Sequence, residues 1–141
     1  MAQFVSRSVQ DTEQLGQRLA QKLHGGEVIA LFGGMGMGKT AFTRGVAQGL
    51  GITEGVSSPT FALVQEYRGK LVVYHFDMFR IESWEDLDST GFYDYLDTGA
   101  VLVVEWSENI INALPTDCIR IKITQGTAEN ERIFSMEDIA L

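Results

Sequence analysis

The chain has 141 residues, 45% of them hydrophobic, which predicts one compact domain with a real core over residues 1–141. Its 19 acids against 11 Lys and Arg give a net charge of −8, which argues against autonomous binding of DNA or RNA, since that affinity comes mainly from neutralising phosphates. No apolar run nears the roughly 20 residues that cross a bilayer, and the start lacks the basic and apolar stretches of a secretory signal. Cys118 stands alone, so an internal disulfide is excluded and a cytoplasmic location is expected.

Leu15, Leu19 and Leu23, four residues apart, predict an amphipathic helix over 8–24, with Ser8 or Asp11 as N-cap and His24 interacting with the dipole at its end. Gly25-Gly26 stops it. Residues 27–32 form a short β-branched run that reads as a buried strand, and residues 40–50 as a second helix. A Ser-, Thr- and Gly-rich loop over 52–59 precedes two strand-like runs, 60–68 and 71–77, which Gly69-Lys70 joins as a hairpin. Ser83-Trp84-Glu85-Asp86 has the form of a capping box opening a short helix, and Gly91 separates it from a helical turn over 92–96. An apolar strand over 100–105 ends on an acid. Residues 117–124, with Cys118 buried among them, and 131–136 read as a closing pair of strands. The expected fold is α/β: a single domain, its mixed parallel and antiparallel sheet flanked by helices.

Between the second run and its helix stands Gly33-Gly34-Met35-Gly36-Met37-Gly38-Lys39-Thr40, which fits G-x-x-x-x-G-K-[ST]. A strand passing through a glycine-rich turn into a helix start aims several backbone N–H groups at one point, where an anion also meets the positive end of the helix dipole. Residues Met35, Gly36, Met37, Gly38, Lys39, Thr40 and Ala41 are the expected phosphate-binding set, for ATP or ADP, and the single α/β domain is expected to be P-loop NTPase-like. Lys39 would place a point charge on the β/γ-phosphates, and the Thr40 hydroxyl is a hard oxygen ligand suited to Mg²⁺. The Met35 and Met37 side chains can face a partner or cover the nucleotide.

Such a site needs a carboxylate at a neighbouring strand end, to hold Mg²⁺ or orient water. Glu105 ends Val101-Leu-Val-Val104, and Asp77 ends Leu71-Val-Val-Tyr-His-Phe76. The alternative reading of each is a strand-end acid facing water or capping a helix. His75, two residues before Asp77, shares its strand face, where it can bond Asp77, position a water, or sit as a core or strand-face histidine with a backbone partner. Trp84 and Trp106 read as core or interface aromatics.

A GTPase would need Asn-Lys-x-Asp, and no Asn-Lys pair occurs; Asp88-Ser-Thr-Gly91 matches D-x-x-G but lies in a helical stretch. A small-molecule kinase needs a second pocket and usually an Arg-bearing lid, and the arginines are scattered. A sensing module that binds without turnover is the third class.

Four segments together, Gly33 to Thr40, Ser58-Pro59-Thr60-Phe61, His75-Phe-Asp77-Met-Phe-Arg80 and Val104-Glu105-Trp106, resemble the bacterial TsaE (YjeE) family, small ATPases of tRNA threonylcarbamoyladenosine biosynthesis. The order and spacing match over nearly the whole chain, with one departure: Gly34-Met35-Gly36-Met37 stands where the family usually has Asp-Leu-Gly-Ala. The resemblance implies ATP hydrolysis with Mg²⁺ on Thr40 and Glu105, Asp77 in the same site, and residues 58–61 as a switch-like loop. It implies adenine contacts around Ser8 to Thr12, at the start of the first helix, and near Arg132 in the C-terminal strands, and Lys39, Asp77 and Glu105 as the catalytic set. The partner implied is a TsaD–TsaB complex acting on adenosine 37 of tRNAs that read ANN codons. The tRNA would be met only through that complex, and no membrane is involved.

Overall fold

The structure, a computed structural model, describes residues 2–34, 36–53, 55–56 and 64–137. The expected switch-like loop over 58–61, Met35 and the first part of the run over 60–68 lie outside the described residues.

Seven strands form one sheet in the order β1-β7-β6-β2-β5-β4-β3. Its middle is parallel: β2 (Val28–Phe32) lies between β6 (Ile119–Gln125) and β5 (Val101–Glu105), and β4 (Val72–Asp77) runs alongside β5. Antiparallel strands flank it, with β3 (Val64–Arg68) hairpinned to β4 and with β7 (Arg132–Glu137) and β1 (Ala2–Ser6) on the far side. The mixed α/β sheet predicted from sequence is therefore present.

Side-chain alternation splits the core in two. Ile29, Leu31, Val101 and Val103 point to the face covered by α1 (Val9–Ala20) and α2 (Lys39–Gly49), with Leu15, Leu19, Leu23, Phe42 and Val46 packed upon them. Val28, Ala30, Leu102 and Val104 point to the other face. It is covered by α3 (Trp84–Ser89), α4 (Phe92–Tyr95) and a 3₁₀ segment, Ser107–Ala113, called η1 below, through Leu87, Phe92 and Ile110. Strands β2 and β5, buried on both faces, have near-continuous apolar sequences, whereas β6 alternates buried Ile119, Ile121 and Ile123 with less buried residues.

Helices α1 and α2 cross closely because glycines line the contact. A Cβ on Gly45 would lie 2.1 Å from the Glu13 carbonyl oxygen, and one on Gly16 would lie 2.4 Å from that of Phe42. The Arg44–Glu13 ion pair (3.5 Å) ties the same crossing.

Ser8 caps α1: its hydroxyl accepts the Asp11 N–H (3.0 Å), while the Asp11 carboxylate accepts from the Arg7 N–H (2.9 Å). Ser83 and Asp86 repeat the pattern at α3, with the carboxylate accepting from Glu82 N–H, one residue before the cap, rather than from the cap itself as in a strict capping box.

Several elements differ from expectation. Helix α1 stops at Ala20, so His24 lies beyond the reach of its last turn, and its N–H donates to the Glu27 carboxylate (2.8 Å). Cys118 is buried but immediately precedes β6. Strand β1 and η1 had no sequence prediction. Strand β1 is a five-residue edge strand with alternate residues exposed, and η1 has no helical period and contains a non-helical residue, Ile110.

Candidate functional site

Strands β2, β4 and β5 run in parallel and end at one edge of the sheet, where an open α/β sheet offers its crevice to ligands. From β2 the chain turns through the glycine-rich loop into α2. Gly38 is the N-cap with φ 92°, a left-handed geometry that costs a side-chain-bearing residue about 1–2 kcal/mol. No side chain caps this end and no acid occupies the first turn. The first helical bond is Phe42 N–H to Gly38 carbonyl (3.0 Å), so the N–H groups of Lys39, Thr40 and Ala41 have no intrahelical acceptor. They are donors at the positive end of the dipole.

Lys39 folds back over the loop. Its Nζ donates to the Gly33 carbonyl (2.7 Å) and sits 3.9 Å above the Trp106 ring. Burial pushes the ammonium below the ordinary lysine value, against the opposing pull of Glu105, Glu108 and Asp77. Three carboxylates therefore surround one lysine.

Strand register explains two of them. Asp77 and Glu105 are direct neighbours at the ends of β4 and β5. They share the parity of Val73, Val101 and Val103, so both project to the α2 face. Glu105 is buried at 3% exposure, and its Oε2 lies 2.5 Å from Nε2 of the fully buried His75. The structure fits the core reading of His75 but gives it the Glu105 carboxylate, rather than a backbone group, as partner. Its Nδ1 has no partner among the described residues. The Asp77 carboxylate accepts from the Phe79 N–H (2.9 Å), which fixes the bend after β4.

Thr12 and Arg132 come from opposite ends of the chain to this loop. The Thr12 methyl lies 3.9 Å from where a Gly38 Cβ would stand, and its hydroxyl bonds that of Ser6 (2.7 Å). Arg132 donates through Nη2 to the Gly36 carbonyl (3.2 Å) and through Nη1 to the carbonyls of Glu129 and Glu131. Thr40 is half-buried at the first turn of α2, and Met37 packs partly against the α1–α2 core. Arg80 is exposed beyond β4, whereas Arg44 is held at the helix crossing.

Two neighbours of Lys39 were not singled out for this site from sequence. Trp106, read as a core or interface aromatic, is only partly buried. It is the one non-glycine residue with positive φ (57°) among those described, and this turn swings its ring between Lys39 and Phe79. Glu108 accepts the Gly33 N–H (2.9 Å) through Oε2. A carboxylate three residues past Glu105 was the only sequence signal, and it is a weak one. Trp84, by contrast, is no core residue, being 64% exposed.

No group of three or more His, Cys, Asp or Glu arranged to hold a metal occurs among the described residues, and no described helix is long and apolar enough to cross a membrane.

The family model described as threonylcarbamoyl adenosine biosynthesis protein TsaE matches residues 6–134. The tRNA threonylcarbamoyladenosine biosynthesis protein TsaE of Treponema pallidum is 40% identical over 119 residues, 84% of this chain and 88% of that protein. The Bacillus subtilis protein of the same description is 37% identical over 139 residues, 96% of this chain and 87% of its own length. A crystal structure of B. subtilis YdiB superposes with a TM-score of 0.82 at 31% identity, covering 96% of this chain and 83% of that one. A glycine-rich loop between parallel strand and helix, strand-end carboxylates beside its lysine, and a match running almost end to end lead to one conclusion: the chain belongs to the TsaE family and has its P-loop NTPase fold.

Proposed function

We propose that residues 1–141 act as one Mg²⁺-dependent ATPase unit in the cytoplasm. Its turnover would support a TsaD–TsaB-like complex forming the threonylcarbamoyl group on adenosine 37 of tRNAs that read ANN codons. The observation carrying this reading is the setting of Lys39: a buried ammonium at an uncapped helix start, facing Asp77, Glu105 and Glu108.

The amides of Gly36 to Ala41, with Met35 and Met37 in the same loop, would cradle the phosphates, and Lys39 would bind the β/γ-oxygens. Thr12 and Arg132 would flank the nucleotide, since Thr12 lies beside Gly38 and Arg132 bonds the Gly36 carbonyl. Asp77, or Glu105 held in place by His75, would orient the attacking water in line with the bond to the β–γ bridging oxygen, which breaks to release ADP and phosphate. Mg²⁺, when bound, would supply neutralisation of the charge on the phosphates. Thr40, Glu105 and Asp77 would hold it. They are too few for a complete shell, which suits an ion that keeps waters and takes phosphate oxygens as further ligands. An acidic chain would meet tRNA only through its protein partners.

Phosphate release from ATP without any acceptor, measured for the wild type and Lys39→Ala, tests this reading. The wild type should turn over slowly alone and faster with the partner complex, while Lys39→Ala should be inactive yet unfold cooperatively. Wild-type turnover in Lys39→Ala would refute the site. Phosphorylation of a metabolite, with hydrolysis indifferent to the partners, would favour a kinase.

A further inference from the structure

Away from the phosphate loop, on the other face of the sheet, an open cleft of about 400 Å³ separates α3 from η1. Its apolar lining comes from Ile81, Trp84, Leu87, Tyr93, Ile110 and Ile111. Trp84, Tyr93 and Ile111 are 64%, 39% and 54% exposed, three of the six large hydrophobic side chains so exposed among the described residues. A tryptophan and an isoleucine left in water on facing walls mark a surface that is covered in use.

Charge says by what. Between Ile81 and Ile119 the chain has nine Asp and Glu and no Lys, Arg or His, so this stretch carries −9 and the remaining residues together +1. Glu82 and Glu108 line the cleft, and Glu85, Asp86 and Asp88 stand exposed on α3. An isologous contact with a second copy would set this acidic rim against itself, and nucleic acid or an anionic membrane would be repelled. A basic protein surface is the complement.

One wall of the cleft also reaches the phosphate loop. Of η1, Ile110 and Ile111 face the cleft, while Glu108 accepts from Gly33 N–H and the preceding Trp106 covers Lys39. Asn109 Nδ2 donates to the carbonyls of Met78 and Phe79, just past Asp77. A group wedged against Ile110 and Ile111 therefore presses on the segment that holds both ends of the Gly33–Lys39 contact.

We propose that the α3–η1 cleft is a docking site for a partner-protein segment presenting a large apolar side chain flanked by Lys or Arg, and that η1 transmits its occupancy to the phosphate loop. The docking stands on the cleft and its charge; the transmission rests on the nucleotide reading above.

The test uses the full chain and a fluorescein-labelled peptide with a central Trp-Leu flanked on each side by two Arg, beside the same peptide with Glu replacing Arg. Fluorescence anisotropy should show the Arg peptide binding, weakening as salt rises, and the Glu peptide not binding. The double variant Trp84→Ala/Ile111→Ala, altered only at exposed side chains, should bind at least ~10-fold more weakly, while its peptide-free ATP hydrolysis stays within about twofold of wild type. The Arg peptide should change wild-type hydrolysis, and it should still bind Lys39→Ala. Binding to Lys39→Ala without any hydrolysis by the wild type would leave the docking site standing and remove the nucleotide reading. No binding of the Arg peptide, equal binding by the double variant, or a wild-type dimer that the double variant abolishes would overturn the proposal.

Discussion

The Lys39 ammonium donates to the Gly33 carbonyl and lies over Trp106, so a triphosphate bound there as proposed would replace both contacts. Burial lowers the Lys39 pKa from the ordinary 10.5, whereas a bound polyanion would raise it. Between those two values binding takes up a proton, and affinity falls as pH climbs through the lowered pKa. Calorimetric titration with nucleotide on the alkaline side, in buffers of different ionisation heat, should register that uptake; heats independent of buffer would contradict it. His75 makes a second prediction at this scale. His75→Leu removes the bond to the buried Glu105 carboxylate and should cost about 1–3 kcal/mol in urea unfolding. It should also lower turnover by freeing Glu105 to rotate. An unchanged midpoint would mean that Glu105 finds equal support from Lys39.

Among the elements, the α1–α2 crossing sets where Thr12 meets the loop. Alanine is the better helix former by about 1 kcal/mol, but a Cβ at Gly45 would stand 2.1 Å from the Glu13 carbonyl, and such overpacking costs about 1–3 kcal/mol or more. The steric effect should win. Gly45→Ala should lose about 1–2 kcal/mol in chemical denaturation and weaken nucleotide binding as α1 is pushed from Gly38. A stabilised variant would mean a looser crossing. The elements that sequence made legible are those with a strong local period or a strong stop: the leucines of α1, the glycine loop, and the doubly buried β2 and β5. Strand β1 escaped because an edge strand that forms only against the far end of the chain leaves little local pattern. The α3–η1 cleft escaped for the same reason, since its walls are separated in sequence by β5 and meet only across the sheet's face. Within the site, Lys39, Thr40, Asp77 and Glu105 could be named from motif and strand ends. Trp106 and Glu108 could not, because their approach depends on a left-handed turn at Trp106 that no composition signals.

For the molecule as a whole, the two faces of the sheet divide the work. The α1–α2 face carries the phosphate loop and its carboxylates, and the α3–η1 face carries the acidic apolar cleft. The stretch from Ile81 to Ile119, which supplies the cover of the second face, carries −9 and the remaining residues together +1. The central claim is that the uncapped start of α2, with Lys39, grips a polyphosphate. A crystal structure with Mg²⁺ and a non-hydrolysable ATP analogue tests it most directly. The phosphates should accept from the N–H groups of residues 36–41, with Lys39 Nζ moved from the Gly33 carbonyl onto the β/γ-oxygens and the metal beside Thr40. Nucleotide density elsewhere, or Lys39 still bonded to Gly33 with the analogue bound, would contradict it.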